Sequence, residues 1–466
     1  MTLQLTNISL QYPGATSPAL NNISCQIKSG QRIALLGENG CGKSTLAKVM
    51  CGLIEPDSGD VILNGKPLGE GWNGIGLLFQ NPDEQLMASS VENELAWGLE
   101  NLAMPPEVMI ERIEAALVTF DLTDIRDTPP EHLSDGQKQL VALASVVVMK
   151  PDFLILDEVT AFLDPNWKDQ ILEKILSFSS KMGILWISTR SDENTNADEI
   201  WLMKDGLVID KGNPESILTT EKLENTGLTF LQIRSHAGAW ERGGTSKIEV
   251  IDLCFSYTGM QSQVLKNFNC SISAGQITAL IGPSASGKST LGKILKGFHE
   301  PISGKIEVRD QDSGFTAFNA KNRLKQIGWA GAHPEVQIFA PTVWEEVGFA
   351  PANQGLKGSD LENRILGALE YVGLDVDEFR GKNPMSLSGG EKRRVALAGV
   401  IAMNCQWFIF DEPTAGLDYK GIHQIIELTN RLKGQGCGLV WISHDLNLVD
   451  QLADSVLEMN HCSNIR

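Results

Sequence analysis

The sequence predicts an α/β protein of two tandem domains, each built on a largely parallel sheet. Three observations carry this. The phrase GENGCGKST at 37–45 returns as GPSASGKST at 282–290. Each copy follows a short apolar strand, 33–36 or 277–281, and precedes a helical stretch, which is the strand, loop, helix order of a phosphate-binding loop. Each half later has an apolar run ending in Asp-Glu, FLILDE at 153–158 and WFIFDE at 407–412, that reads as a buried central strand.

The register confirms a duplication. Tyr12 and Tyr257, like Gly37 and Gly282, are 245 apart, whereas Ser134 and Ser388, like Asp157 and Asp411, are 254 apart. The opening strands also superpose, with Leu3, Leu5, Ile8, Leu10 and Tyr12 against Ile248, Val250, Leu253, Phe255 and Tyr257 in the alternation of a half-buried strand. A chain of 466 residues accommodates two cores of this kind. The expected domains are 1–233 and 246–466. Between them RSHAGAWERGGT at 234–245 is rich in small residues, has no apolar period and reads as a linker. Extended, it reaches at most about 40 Å. A tether of that length holds the halves at an effective concentration on the order of millimolar, so they are expected to pair within one molecule.

Composition excludes several classes. A formal net charge of −19, a pI near 4.9 and no Lys/Arg cluster argue against a nucleic-acid surface. The eight cysteines form no CxxC pair, which points to reduced thiols rather than a metal cluster or disulfide framework. The longest apolar runs, 140–149 and 395–403, are shorter than the ~18 to 20 residues that cross a bilayer, and the N-terminus has no basic-then-apolar secretion pattern.

The motifs specify phosphate chemistry. In the first loop Gly37, Asn39, Gly40 and Gly42, and in the second Gly282, Ser284 and Gly287, shape a backbone whose N–H groups can wrap phosphates. Lys43 and Lys288 reach the β and γ phosphates of ATP, Ser44 and Ser289 coordinate Mg²⁺, and Thr45 and Thr290 complete the phrases. Asp157 and Asp411 end their strands where a carboxylate holds the Mg²⁺ sphere, and Glu158 and Glu412 follow where one can polarise the attacking water. Cys41, inside the first loop, is expected to be shielded from maleimide by bound nucleotide. Ser134-Asp135-Gly136-Gln137 and Ser388-Gly389-Gly390-Glu391 each open a helix, a second place where a helix N-terminus can face negative charge.

LSGGE at 387–391, lying between a phosphate-binding loop and the Asp-Glu strand, resembles the signature of the ATP-binding cassette family, and LSDGQ at 133–137 is a one-residue variant. The resemblance covers nearly the whole chain. It implies cassette domains with a parallel core sheet, an antiparallel β subdomain and a helical signature subdomain. It also implies head-to-tail pairing, with Lys43 and Ser388 sharing one ATP and Lys288 and Ser134 the other. Tyr12 and Tyr257 match the adenine-stacking aromatic, and Asp164 and Asp418 match the D-loop aspartate, a role compatible with helix capping.

Two departures make the sites unequal. The switch histidine is His444 in WISHD, but Arg190 stands there in WISTR. The Q-loop glutamine, which helps arrange Mg²⁺ and water, is Gln80 in LLFQNPDEQ, but Ala332 stands there in WAGAHPEVQ. The second site would also face Asp135, which either repels a γ-phosphate or points to solvent as a helix-start carboxylate. Residues 79–99, FQNPDEQLMASSVENELAWGL, look like the energy-coupling-factor and cobalt-type ATPases, and 334–350 repeat the pattern more weakly. This implies an importer of a vitamin, vitamin precursor or transition-metal ion, on the cytoplasmic face of a prokaryotic membrane. Its partners would be an integral membrane coupling subunit, docked on 81–86 and 334–339, and a membrane substrate-binding subunit. Soluble cassette pairs acting on ribosomes or DNA, and an ATP-dependent regulatory clamp, are the alternative classes.

Overall fold

The computed structural model describes residues 1–15, 17–69, 71–161, 163–178, 181–190, 196–228, 246–257, 263–310, 314–331 and 337–459. The expected linker and Ala332 lie outside them. Contacts divide the chain into two compact units, Met1–Leu231 with Gly416–Lys420, and Gln232–Ala415 with Gly421–Arg466.

In the first unit Leu20–Lys28, Thr2–Leu10, Ser58–Leu63 and Lys66–Pro67 form an antiparallel sheet in that order. The central sheet runs Leu207–Gly212, Glu199–Lys204, Arg32–Leu36, Gly183–Ser188, Phe153–Asp157, Ile75–Leu78, and only its first pair is antiparallel. Parallel strands need both faces covered, so every residue of Phe153–Asp157 is buried. Its alternation divides two cores: Phe153 and Ile155 pack with the helix Lys43–Met50 and the antiparallel sheet, while Leu154 and Leu156 pack with the helical layer. That layer comprises Val91–Asn101, Pro106–Thr119 and Asp135–Val147.

The second unit repeats the plan with one antiparallel sheet and an all-parallel sheet in the order Ile327–Ala330, Trp407–Asp411, Gly438–Ile442, Ile277–Ile281, Ser455–Glu458. The drift in register has a structural origin. The offset is 245 at Leu63 and Val308 but 252 at Ile75 and Ile327, strands that hold equivalent places in their sheets. Seven of the nine extra residues therefore fall where the first unit has the two-residue strand Lys66–Pro67 and the second has the strand Gly314–Ala317 and the helix Ala320–Gln326.

Both signature helices start on a reciprocal cap. Ser134 Oγ accepts from Gln137 N–H at 3.4 Å while Gln137 Oε1 accepts from Ser134 N–H at 3.0 Å, and Ser388 and Glu391 do the same at 3.4 and 2.9 Å. The glycines inside the caps differ. A Cβ on Gly136 would sit 2.3 Å from the Trp167 indole, whereas one on Gly389 or Gly390 would meet nothing within 4 Å. The position equivalent to Trp167 is Gly421, which leaves that space open. Gly136→Ala should destabilise the protein by about 1–3 kcal/mol through overpacking, whereas Gly390→Ala should be neutral or stabilising by up to about 1 kcal/mol, since Ala is the better helix former. Thermal melting of the two variants decides it, and equal shifts would refute the Trp167 contact.

Candidate active sites

In each unit the strand before the loop delivers its glycine against a neighbouring backbone. A Cβ on Gly37 would lie 2.4 Å from Met203 O, and one on Gly282 would lie 2.1 Å from Met459 O, so no other residue fits. Gly42 and Gly287 end the loops in the left-handed region, at φ 107° and 96°. Gly40 (φ 78°) is replaced in the second loop by Ala285, which holds the same conformation at φ 62° with a Cβ that disfavours it. Asn39 and Gly40 are exposed, and Ser284 is half-buried.

The loop closes on its lysine. Lys43 Nζ donates to Gly37 O and Glu38 O, both at 2.9 Å, and Lys288 Nζ to Gly282 O at 2.8 Å and Pro283 O at 2.9 Å. Only 4% and 6% of these residues' surface is exposed. Cys41 is itself buried, and burial pushes its thiol pKa up. The thiol is thus covered by the loop's own packing and should label slowly even before nucleotide adds to its protection from maleimide.

The Asp-Glu pairs sit at the same strand ends. Ser289 Oγ donates to Asp411 Oδ1 at 3.2 Å. Asp157 is bonded by Ser44 and raised in pKa by burial, an effect that the Ser44 bond and Lys43 oppose. Its Oδ1 is buried with no hydrogen-bond partner. A buried carboxylate oxygen without a donor, next to a serine hydroxyl, fits a hard cation. Among the described residues no group of three or more His, Cys, Asp or Glu could hold a metal. The residues that would hold Mg²⁺ are therefore Asp157 with Ser44, and Asp411 with Ser289.

Glu158 and Glu412 share a feature that the motifs do not reveal: both are left-handed, at φ 51° and 49°, immediately after a buried strand. Strain of this kind persists only where surrounding structure fixes it. Their N–H groups donate to Ile187 O and Ile442 O at 3.1 and 3.0 Å. Their side chains have different company. Glu158 accepts from Gln80 Nε2 at 3.1 Å and lies 3.6 Å from Lys43 Nζ. Glu412 lies 3.5 Å from His444 Nε2, and burial with the adjacent Asp411 pushes its pKa up to about 8 against the opposing pull of Lys288. The sheet register corrects the expected switch position: Trp186 pairs with Ala34 as Trp441 pairs with Ala279, so Thr189, not Arg190, stands where His444 does. Arg190 takes the place of Asp445, Ser188 Oγ accepting from Arg190 N–H at 3.0 Å and Ser443 Oγ from Asp445 N–H at 3.1 Å.

The aromatic positions also diverge. Tyr12 OH and Thr45 Oγ1 are 3.3 Å apart, and Tyr257 OH and Thr290 Oγ1 are 3.0 Å apart. Tyr12 is exposed, whereas Tyr257 stands edge-on to Phe255 at 5.1 Å and to His299 at 5.6 Å. Asp164 caps Pro165–Phe178 by accepting from Trp167 N–H at 2.9 Å. Asp418 belongs to the segment that groups with the first unit, and there its carboxylate accepts from Asn39 N–H at 2.9 Å. Asp135 is exposed at the helix start, the solvent-facing alternative.

Paired phosphate loops, paired signatures and paired Asp-Glu strand ends now stand in one fold, and the sequence profile described as ABC transporter matches residues 20–161 and 265–415. The chain belongs to the ABC transporter family. Membership of that family, with its ATP-binding domain present twice, implies ATPase activity coupled to transport. A Bifidobacterium longum protein provisionally named as an ABC transporter ATP-binding protein, BL0043, is 33% identical across 98% of this chain. The chain spans 64% of that relative's length. YkoD of Bacillus subtilis, provisionally named as an HMP/thiamine import ATP-binding protein, is 31% identical over 98% of this chain and 90% of its own. Among solved structures, cbiO1 from Clostridium perfringens, described as part of the ABC transporter complex cbiONQ, is 33% identical over 48% of this chain and 92% of its own, with a TM-score of 0.43.

The loop geometry of this ABC chain makes a prediction. Gly42→Ala would set a Cβ 2.3 Å from Ala19 O. In a Lys288→Ala background it should weaken Mg-ATP binding by at least about tenfold, because a left-handed loop position cannot be vacated cheaply. Ala285→Gly in a Lys43→Ala background should stay within about threefold, since it only removes a strained Cβ. Equilibrium binding of a fluorescent ATP analogue separates the two, and equal affinities would count against the loop reading.

Proposed function

We propose that the chain is the ATP-hydrolysing subunit of an energy-coupling-factor type importer. Its cargo would be a vitamin, vitamin precursor or transition-metal ion. It would act at the cytoplasmic face of a prokaryotic membrane, with an integral membrane coupling subunit and a membrane substrate-binding subunit. The observation that supports docking best is a matched, preformed loop end in each unit. Glu94 is buried, and its Oε2 accepts from Met87 and Ala88 N–H at 2.9 and 2.8 Å; Glu346 does the same for Phe339 and Ala340 at 3.0 and 2.8 Å. So held, Met87 is 72% and Phe339 62% exposed, and Trp97 and Phe349 are exposed at equivalent places on the following helices. Phe339 and Phe349 also meet edge-on at 4.6 Å, and rigidly presented, exposed apolar side chains suit a protein partner. The relation to YkoD, whose provisional name is that of an import ATPase, supports the same direction.

At each site the roles follow from chemistry. The loop N–H groups and Lys43 or Lys288 would hold the phosphates, with Tyr12 or Tyr257 against the base. Mg²⁺, when bound, would neutralise charge on the β and γ phosphates. Ser44 with Asp157, and Ser289 with Asp411, would hold it, with Gln80 contributing in the first unit. Glu158 or Glu412 would orient and deprotonate the attacking water. In the head-to-tail pairing of this family, Ser388, Gly389, Gly390 and Glu391 would complete the Lys43 site, and Ser134, Gly136 and Gln137 the Lys288 site, with Asp164 and Asp418 at the D-loops. We assign most hydrolysis to the Lys288, Glu412, His444 set, because a histidine donor aimed at developing phosphate charge is present only there.

Two expected outcomes follow. Removing a preorganised catalytic group typically costs about 10²- to 10³-fold in rate, so Glu412→Gln should abolish nearly all steady-state ATPase and Glu158→Gln only part. A larger loss from Glu158→Gln would invert the assignment. The combined Met87→Glu and Phe339→Glu protein should leave the membrane fraction while binding ATP normally, as both side chains are exposed and Phe339 gives up only its surface contact with Phe349. Native protein that sediments entirely with ribosomes or stays in free cytosol would favour the soluble-cassette class instead.

A further inference from the structure

Two residues past each signature motif, at the 254 offset, Gln139 corresponds to Arg393. Both side chains are buried, and they reach different parts of their own units. Gln139 Nε2 donates to Phe79 O at 3.5 Å, the carbonyl just before Gln80, and its neighbour Lys138 donates to Asp83 Oδ1 at 2.7 Å. Arg393 instead sends Nη1 to Pro413 O at 3.0 Å and Ala415 O at 2.5 Å, one and three residues beyond Glu412. In the first unit, then, the signature helix is bonded to the Q-loop. In the second it is bonded to the loop that carries the catalytic glutamate.

This difference matches how each glutamate is held. Both have the same left-handed backbone, fixed on the strand side by the donation to Ile187 O or Ile442 O. Glu158 has its carboxylate held directly by Gln80. Ala332, in Gln80's sequence position, has no donor to offer. The turn after each glutamate is the same, Ala161 N–H donating to Glu158 O at 3.1 Å and Ala415 N–H to Glu412 O at 3.2 Å, and in the second unit the Arg393 guanidinium grips two carbonyls of that turn, Pro413 O and Ala415 O. Both bonds leave one nitrogen, Nη1, which carries two hydrogens and a share of a permanent positive charge, so two carbonyl dipoles are held by a cation rather than by a neutral amide. Burying that cation is costly unless its bonds are made, so it fixes the turn in one arrangement.

We propose that Arg393 is a positioning residue for hydrolysis in the second unit: by clasping the turn after Glu412 it holds the carboxylate in place and takes over the task that Gln80 performs for Glu158. The inference rests on the reading of Glu412 as catalytic.

The test uses the full chain with Mg-ATP, measuring kcat, KM and the melting transition. Misplacing a catalytic group by a fraction of an ångström should lower kcat of Arg393→Gln by at least about tenfold, with KM within about threefold because ground-state binding is untouched. Arg393→Lys, which keeps a buried cation but on a head of different shape and reach, should recover part of the rate. It carries the same comparison if Arg393→Gln does not fold. Adding Arg393→Gln to Glu412→Gln should cause no further fall, since both act on one step. An unchanged kcat in Arg393→Gln, or an equal additional loss in the Glu412→Gln background, overturns the proposal. If Glu412→Gln itself keeps wild-type turnover, the catalytic reading falls and this inference with it. An inactive Glu412→Gln protein beside a fully active Arg393→Gln protein overturns the inference alone.

Discussion

A lysine ammonium buried beneath its own loop is the charge around which each half is built. Taking such an ion out of water costs several kcal/mol unless its hydrogens are satisfied. For Lys43 and Lys288 the satisfying groups are two loop carbonyls each, with Glu158 adding a carboxylate at 3.6 Å from Lys43. That demand propagates outward. The carbonyls can turn inward only if Gly37 or Gly282 lets the backbone press against the neighbouring strand. The carboxylate arrives only if the Asp-Glu strand lies one strand away in the parallel sheet, where Phe153–Asp157 and Trp407–Asp411 are found. A parallel sheet in turn requires apolar cover on both faces, which the two cores of the first unit provide.

The strained glutamates are the other half of the same design. A left-handed non-glycine residue is unfavourable by about 1–2 kcal/mol, yet both units retain it at the residue assigned to water activation. The conformation turns the chain sharply at the strand end, so that Asp and Glu, which would otherwise alternate to opposite faces of the sheet, serve one site. Such a turn must be held from outside, which gives the hydrogen bonds of the loops after Glu158 and Glu412 a catalytic as well as a structural meaning.

Much of this was legible in the sequence because it is written as chemistry at fixed spacing. The phosphate loops, both buried strands, both signature helix starts and the two domain cores follow from residue type and period. The α/β class with its parallel sheets followed from the same signals. What escaped was whatever depends on backbone angle or on meetings between distant residues. Nothing local marks Glu158 and Glu412 as left-handed, since glutamate has no preference for that region. Glu94 and Glu346 read as ordinary charges in an amphipathic helix, although their carboxylates cap a loop that ends six residues earlier. A signal was available for them: they recur at the 252 offset that aligns Gln85 with Gln337. The burial of Cys41 was not legible either, because proximity in sequence to a phosphate loop says nothing about which side of the loop a side chain packs on.

Fusion of the two halves explains why equivalent positions have diverged. Two copies of one chain must use the same residue for every task on both sides of a symmetric assembly. A fused pair is free of that constraint. Trp167 can press on Gly136 while Gly421 leaves Gly390 open; Tyr12 can stand exposed while Tyr257 gains Phe255 and His299; Gln139 can bond the Q-loop while Arg393 bonds the catalytic turn. These substitutions alter partners without altering strands or helices, so the folds remain matched. Divergence has therefore accumulated in the side chains that connect the elements, which are the ones able to give two sites of common ancestry different speeds.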